Sequence, residues 1–207
     1  MSRSKYKIYN GKSLKKIFEN SRVFLITAMF VFGSIAGSAI IESDTIITER
    51  ISLLFDTYSS IRAEQGIINN FFNSFAINGL FIIVNIFLGF SLIGCPFLTV
   101  LPVLKGLGIG AVCGYLYSSF KLTGFGYSVL MIYPGAIVSV FAFIVACNDS
   151  FEYSRNAYLK AIKGRGQLEK DETRVYLTRQ LVFLGISAVS SCIDAVFCEI
   201  FSRFFQI

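Results

Sequence analysis

The chain has 207 residues; 54% of them are hydrophobic, only 15% are charged, and the mean hydropathy is +0.64. Soluble domains typically carry about 25% charged residues, so this composition argues against a soluble enzyme, a disordered chain or a secreted disulfide scaffold. The net charge of +6 needs no nucleic-acid partner, because basic flanks of membrane spans commonly meet anionic lipid.

Apolar blocks near the length of a bilayer crossing, about 20 residues, recur along the chain. They predict an all-α, polytopic integral membrane bundle of about five transmembrane helices in a single membrane domain, with four helices as the alternative. The fifth block is the weakest because it carries Asp194. The predicted spans are residues 23–41, 75–93, 97–118, 125–147 and 180–201.

The charges between the blocks predict an orientation. The leader, residues 1–22, holds seven Lys/Arg and one acid, and residues 148–179 hold seven Lys/Arg against five acids. Residues 42–74 hold five acids and two arginines. The positive-inside rule therefore predicts a cytoplasmic N-terminus, a cytoplasmic loop at 148–179 and an extracytoplasmic segment at 42–74 in a multi-pass cell-membrane protein. Five crossings would put the C-terminus outside.

The outer segment 42–74 is too long for a simple connection. Five apolar residues in it follow helical spacing, which predicts an amphipathic helix. This helix either lies on the membrane or its own bundle, or offers a docking face to an extracytoplasmic partner. The candidate face consists of Ile47, Ile51, Leu54, Tyr58 and Ile61.

Glycines repeat at a spacing of four in the third block, where they predict a face for close helix packing. The partner helix belongs either to the same chain or to a second copy in a homo-oligomer. A weaker version of the pattern occurs in the first block. The glycines are Gly106, Gly110 and Gly114 in the third block and Gly33 and Gly37 in the first.

Prolines and a lysine mark the middle of the chain. Gly94 and Pro96 form a predicted hairpin between the second and third spans, and Pro102 precedes Lys105 within the third block. This pair predicts either a broken helix that lines a polar cavity or a kinked helix whose lysine extends to the nearby membrane surface.

Polar residues also occur inside the second and fifth blocks. Asn78 and Asn85 are seven residues apart and share one helical face, and Ser187, Ser190, Ser191 and Asp194 form a stripe in the last span. Such stripes usually form hydrogen bonds between helices, and a substrate or proton path is the alternative.

The sequence lacks the residues and motifs of common catalytic, metal and cofactor sites. It has no histidine, no nucleophile elbow, no phosphate-binding loop and no dinucleotide fingerprint. The five cysteines lie in or beside apolar blocks without paired spacing, which is typical of small buried hydrophobes. We therefore expect no catalytic residues, metal or cofactor.

The run IGCPFLTVLPVLKGLGIGAVCGYL, followed by KLTGFG and MIYPGAIVSVFAFIVA, resembles the stage II sporulation protein M family. The resemblance is strongest over residues 70–155, where Gly94, Pro96, Lys105, Gly106 and Gly110 match. Pro134 in the fourth span matches as well. Family members often carry an asparagine directly after that proline, where this chain has Gly135.

The resemblance implies a non-enzymatic membrane scaffold that acts in engulfment during sporulation, in the mother-cell membrane. It implies peptidoglycan-degrading partners that resemble stage II sporulation proteins P and D. The alternative from the residues themselves is a small permease with a polar path near Lys105 and Asp194.

Overall fold

In the computed structural model, residues 21–43, 66–91, 94–162 and 170–201 are described. They form five α-helices and one π-helical stretch. These are α1 (Ser21–Ser43), α2 (Ile67–Phe90), α3 (Gly94–Tyr127), the π-helix Ser128–Ile132, α4 (Tyr133–Ile162) and α5 (Lys170–Phe201). The leader to residue 20 and the candidate docking face at 47–61 lie outside the described residues.

Four stretches in the described residues are long and apolar enough to cross a membrane, as expected for a multi-pass membrane protein. They are Ser21–Ile41, Ile67–Phe90, Gly94–Lys160 and Asp171–Ile200. The third has 67 residues, which as a straight helix would measure about 100 Å and exceed the bilayer core of about 30 Å.

This long stretch folds back on itself. Leu98 and Leu101 of α3 belong to the same buried cluster as Phe143 and Cys147 of α4. The backbone leaves helical geometry at Lys121, which has φ 49° and ψ −121°. The sequence predicts two spans with a short loop at this place; the number of five crossings remains a prediction.

Helix α2 begins at Ile67, whereas the predicted second span begins at Phe75. The sequence predicts that the polar residues between these two positions belong to the outer segment 42–74. In the structure, Asn70 and Ser74 are buried because they face α5, where Asn70 Nδ2 lies 3.9 Å from Cys198 Sγ. These polar side chains therefore form contacts between α2 and α5.

The predicted cytoplasmic loop at 148–179 is largely helical, because α4 continues to Ile162 and α5 begins at Lys170. Paired side chains hold these two helix ends together. Arg179 Nη1 lies 2.8 Å from Asp149 Oδ1, and the Tyr153 and Thr173 hydroxyls lie 2.9 Å apart. Residues 163–169, which include the Gly-rich break, lie outside the described part of the chain.

Helices α1 and α3 pack with their backbones in close contact. A Cβ atom at Gly110 would lie 2.8 Å from Ser34 Cα, and one at Gly37 would lie 2.9 Å from Ala111 N. Gly106 and Gly114 on α3, and Gly33 on α1, meet the opposite backbone in the same way. Since no side chain larger than hydrogen fits there, the glycines of both helices form one intramolecular seam.

Candidate functional site: a polar ladder inside the bundle

One face of α2 carries polar side chains along its length. Asn70, Ser74, Asn78 and Asn85 are spaced by four, four and seven residues, which places them on one side of a helix. Asn70, Ser74 and Asn85 are buried and Asn78 is partly buried. We call this set the polar ladder; its members bond to α3, α4 and α5.

Lys105 of α3 bonds to the middle of the polar ladder. Its Nζ donates to Asn78 Oδ1 at 3.2 Å and lies 4.7 Å from the ring centre of Phe143 and 5.4 Å from that of Phe81. The residue is 5% exposed. Lys105 therefore neither extends to the membrane surface nor lines an open cavity; it is packed between aromatic rings whose faces attract its charge.

The prolines lie at three different places in the helices. Pro102 is buried inside α3 without breaking it, since the only non-helical residue of that helix is Lys121. Pro96 lies in the first turn of α3, where its missing N–H costs no helical hydrogen bond. Pro134 follows the π-helix Ser128–Ile132, consistent with a proline that disturbs the preceding turn.

Gly94 closes the hairpin between α2 and α3. A Cβ atom there would lie 2.9 Å from the carbonyl carbon of Leu88, so the turn leaves no space for a side chain. The Gly94 N–H donates to Ser91 O at 3.1 Å, and the Ser154 hydroxyl of α4 donates to the same carbonyl at 2.7 Å. The hairpin is thereby fastened to α4.

Asp194 of α5 accepts a hydrogen bond from the Ser74 hydroxyl, one turn along α2 from Asn78. On the neighbouring side, the Ser190 hydroxyl donates to Gly135 O of α4 at 2.7 Å. A Cβ atom at Gly135 would lie 2.8 Å from Asp194 Cβ. The absence of a side chain at 135 thus lets α5 approach α4 closely.

Asn85 lies in a four-residue hydrogen-bond network with Ser150, Tyr176 and Gln180. Its Nδ2 donates to Ser150 Oγ at 2.8 Å and to Gln180 Oε1 at 3.3 Å. Gln180 Nε2 lies 3.2 Å from Ser150 Oγ, and the Tyr176 hydroxyl lies 2.9 Å from the same atom. The network joins α2, α4 and α5.

The sequence alone does not indicate that Ser150, Tyr176 and Gln180 are partners of Asn85. Gln180 lies seven residues before Ser187, so extending the polar stripe of the last span by two turns would have included it. Ser150 and Tyr176 fall in the segment 148–179, which the sequence predicts to be a loop, so the sequence places neither of them on a helical face.

Two clefts lie away from the polar ladder. One, of 520 Å³, lies between α1, α3 and α4 and is mostly apolar; the other, of 360 Å³, lies between the end of α4 and the start of α5. Neither cleft is lined by Lys105 or Asp194. Among the described residues, no group of three or more Cys, Asp or Glu is placed to hold a metal ion.

Comparison with protein families identifies the family of the chain. The family model of stage II sporulation protein M matches residues 24–199, which is most of the chain. The chain belongs to this family. The matched region contains α2 to α4 in full and nearly all of α1 and α5, and so includes the glycine seam and the polar ladder. No curated protein and no solved structure gives a significant match.

Proposed function

We propose that this family member is a non-enzymatic membrane scaffold that anchors extracytoplasmic peptidoglycan-degrading partners during engulfment in sporulation. Family membership supports the link to sporulation. The partners are proteins that resemble stage II sporulation proteins P and D. In this proposal the N-terminus is cytoplasmic, and the part of the outer segment that precedes α2 faces the cell wall.

The packing of Lys105 is the observation that supports a scaffold most directly. A transport path would require this lysine to face a water-filled space that a substrate or proton can enter. Instead, Asn78, Phe81 and Phe143 surround its ammonium group, and both described clefts lie elsewhere. The polar side chains of the bundle thus hold helices together, as a rigid anchor requires.

A permease remains the second candidate because Lys105 and Asp194 bond to α2 one turn apart, through Asn78 and Ser74. Lys105→Met and Asp194→Asn keep side-chain size while removing the charges. A scaffold with either change retains engulfment whenever it assembles at the normal level, whereas a permease loses function despite assembly. Lys160→Met, a change at a lysine near the surface end of α4, is the matched control.

The outer segment is the proposed capture surface. Changing Ile51 and Leu54 to Ser removes apolar area from its predicted face, where each fully buried side chain is worth about 1.5–3 kcal/mol. We expect reduced co-purification of the wall hydrolases and slower membrane migration, at unchanged level and insertion. Ser52→Ala, in the same segment but off the apolar face, is the control.

Normal co-purification and normal migration in the Ile51→Ser, Leu54→Ser variant would contradict this assignment. The apolar face of the outer segment would then contact the bilayer or its own bundle. Loss of both in the Ser52→Ala control would show that the assay reports general damage to the segment.

A further inference from the structure

Helices α1 and α4 contact each other near one end and are separated by a cleft towards the other. At the first end, Arg22 Nη2 of α1 lies 3.8 Å from Glu152 Oε2 of α4. Beyond it, the apolar cleft of 520 Å³ is lined by residues 30–38 of α1 and residues 133–140 of α4, with α3 between them. The two helices therefore run antiparallel, and the cleft occupies the space between them.

The dimensions of the cleft match one leaflet of a bilayer. Residues 30–38 extend over about 12 Å at 1.5 Å per residue, and the hydrocarbon part of one leaflet is about 15 Å thick. They belong to the half of the apolar stretch Ser21–Ile41 that ends at Ile41. The volume of 520 Å³ falls within the range of about 300–1,000 Å³ that is typical of sites for small ligands. A single hydrocarbon chain of that leaflet is an occupant of suitable size.

The lining of the cleft becomes amphipathic towards the membrane surface. Among the described residues that line it, none is Lys, Arg, Asp or Glu. Phe30 and Val140 form its deep end, whereas Tyr117 and Tyr133 lie near the end where α1 leaves the apolar stretch, and both tyrosines are exposed. Tyrosine is enriched at the membrane surface because its ring contacts hydrocarbon while its hydroxyl contacts polar groups. This gradient matches a lipid whose ester group lies at the surface and whose chain points inwards.

A further helix is a poorer occupant of the cleft than a lipid chain. Helices in membranes approach each other closely where small residues meet. The small residues of α3 at this place, Gly110 and Gly114, already contact Ser34 and Ser38 of α1. The rim consists of large exposed side chains such as Ile35. A flexible chain can fill the irregular space between such side chains, whereas they keep a rigid helix at a distance.

We propose that one acyl chain of a bilayer phospholipid occupies this cleft and joins the α1–α3 pair to α4. The lipid belongs to the leaflet that surrounds the Ser43 end of α1. Because the cleft contacts the chain, binding depends on the acyl chain and is independent of the headgroup. The proposal is independent of the scaffold function and of the direction in which the protein is inserted.

A single tryptophan can report on the cleft, because the native chain contains none. Ile35→Trp places the reporter at the rim, and Ile77→Trp, at an exposed position of α2, is the matched control. The full-length protein is purified in detergent, washed free of lipid and titrated with phosphatidylcholine that carries bromine on its acyl chains, which quenches tryptophan at short range. We expect half-maximal quenching of Ile35→Trp at a roughly tenfold lower ratio of lipid to detergent than of Ile77→Trp, which corresponds to about 1.4 kcal/mol.

Filling the cleft tests the location of the chain. Ala136→Phe, added to Ile35→Trp, places a ring in the cleft from α4 and should remove the preferential quenching. Ala76→Phe, the same change at an exposed position of α2, should leave it unchanged. Phosphatidylglycerol with the same brominated chains should quench as well as phosphatidylcholine does.

Equal quenching of the Ile35→Trp and Ile77→Trp reporters would overturn the proposal, and this comparison does not require the Ala136→Phe variant to fold. Preferential quenching that persists in a folded Ala136→Phe variant, or that requires one headgroup, would overturn it too. An Ile35→Trp reporter that lipid does not quench would mean that a second copy or residues 44–65 cover the cleft instead of a lipid chain.

Discussion

At the scale of single residues, Lys105 is a cation held inside an apolar bundle by one amide oxygen and two ring faces. A hydrogen bond to a charged group contributes about 1.5–3 kcal/mol, and a cation–π contact about 2 kcal/mol when water is excluded. Each of these partners therefore stabilises the buried ammonium group. Removing one partner while Lys105 stays charged should lower the free energy of unfolding more than replacing Lys105 by an uncharged residue.

Asn78→Leu removes the amide that accepts the Lys105 hydrogen bond. We expect it to destabilise the protein in detergent by about 1–3 kcal/mol, because the ammonium group loses its acceptor. Lys105→Met combined with Asn78→Leu should recover much of that loss, since neither polar group is then left unpaired. Thermal unfolding of the two single variants and the double variant measures the coupling; additive losses would contradict the pairing.

At the scale of helices, the bundle uses two different kinds of contact. The α1–α3 pair depends on backbone approach at glycines, whereas α2, α4 and α5 are joined by side-chain hydrogen bonds around Asn85, Ser150 and Gln180. Lys105 links the two groups, since it lies on α3 and bonds to α2. Substitutions in the α1–α3 pair should therefore act through steric overlap, whereas substitutions among α2, α4 and α5 should act through the loss of hydrogen bonds.

Gly110→Leu tests the backbone contact. The new side chain would overlap Ser34 of α1, so we expect a loss of at least 1–3 kcal/mol in stability and a lower yield in detergent. Gly108→Leu is the matched control, because a Cβ atom at Gly108 meets nothing within 4 Å. If the two variants melt at the same temperature, the seam does not hold the helices together.

The sequence was sufficient to predict helices and a glycine face, because hydropathy and spacing report directly on burial. The family was predicted from the motifs that residues 70–155 share with it. The sequence was insufficient to identify the partner of the glycine face, since α1 lies far from α3 along the chain. The predicted second span also begins at Phe75, later than the true start of α2 at Ile67. Polar residues such as Asn70 and Ser74 are typical of a surface segment, and only the fold shows that they contact Cys198 and Asp194 of α5.

The sequence also predicts a possible break in the third block that the structure does not contain. Pro102 is the residue whose chemistry suggests an interrupted helix, but α3 continues through it. The chain instead leaves helical geometry at Lys121, which lies between the predicted third and fourth spans. A proline thus predicts the place of a break less well than the end of an apolar block does, because buried packing can hold a helix together through a proline.

At the scale of the whole molecule, the reversal within Gly94–Lys160 bears on topology. If both arms cross the membrane, the segment around Ser60 and the segment around Gln167 lie on opposite sides. Ser60→Cys should then react with an impermeant thiol reagent in intact cells, and Gln167→Cys only after permeabilisation, in a variant without native cysteines. Reaction of both from the same side would contradict the five-crossing prediction.

The polar ladder of α2 also constrains how the protein is made. The ribosome delivers the helices in chain order, so Asn70, Ser74, Asn78 and Asn85 are synthesised before Lys105, Ser150, Gln180 and Asp194, the residues that α3 to α5 contribute. Polar side chains without partners are costly in lipid. Until α5 has been made, α2 must therefore be sheltered by the insertion machinery or remain incompletely inserted, and closure of the bundle becomes a late step in biogenesis.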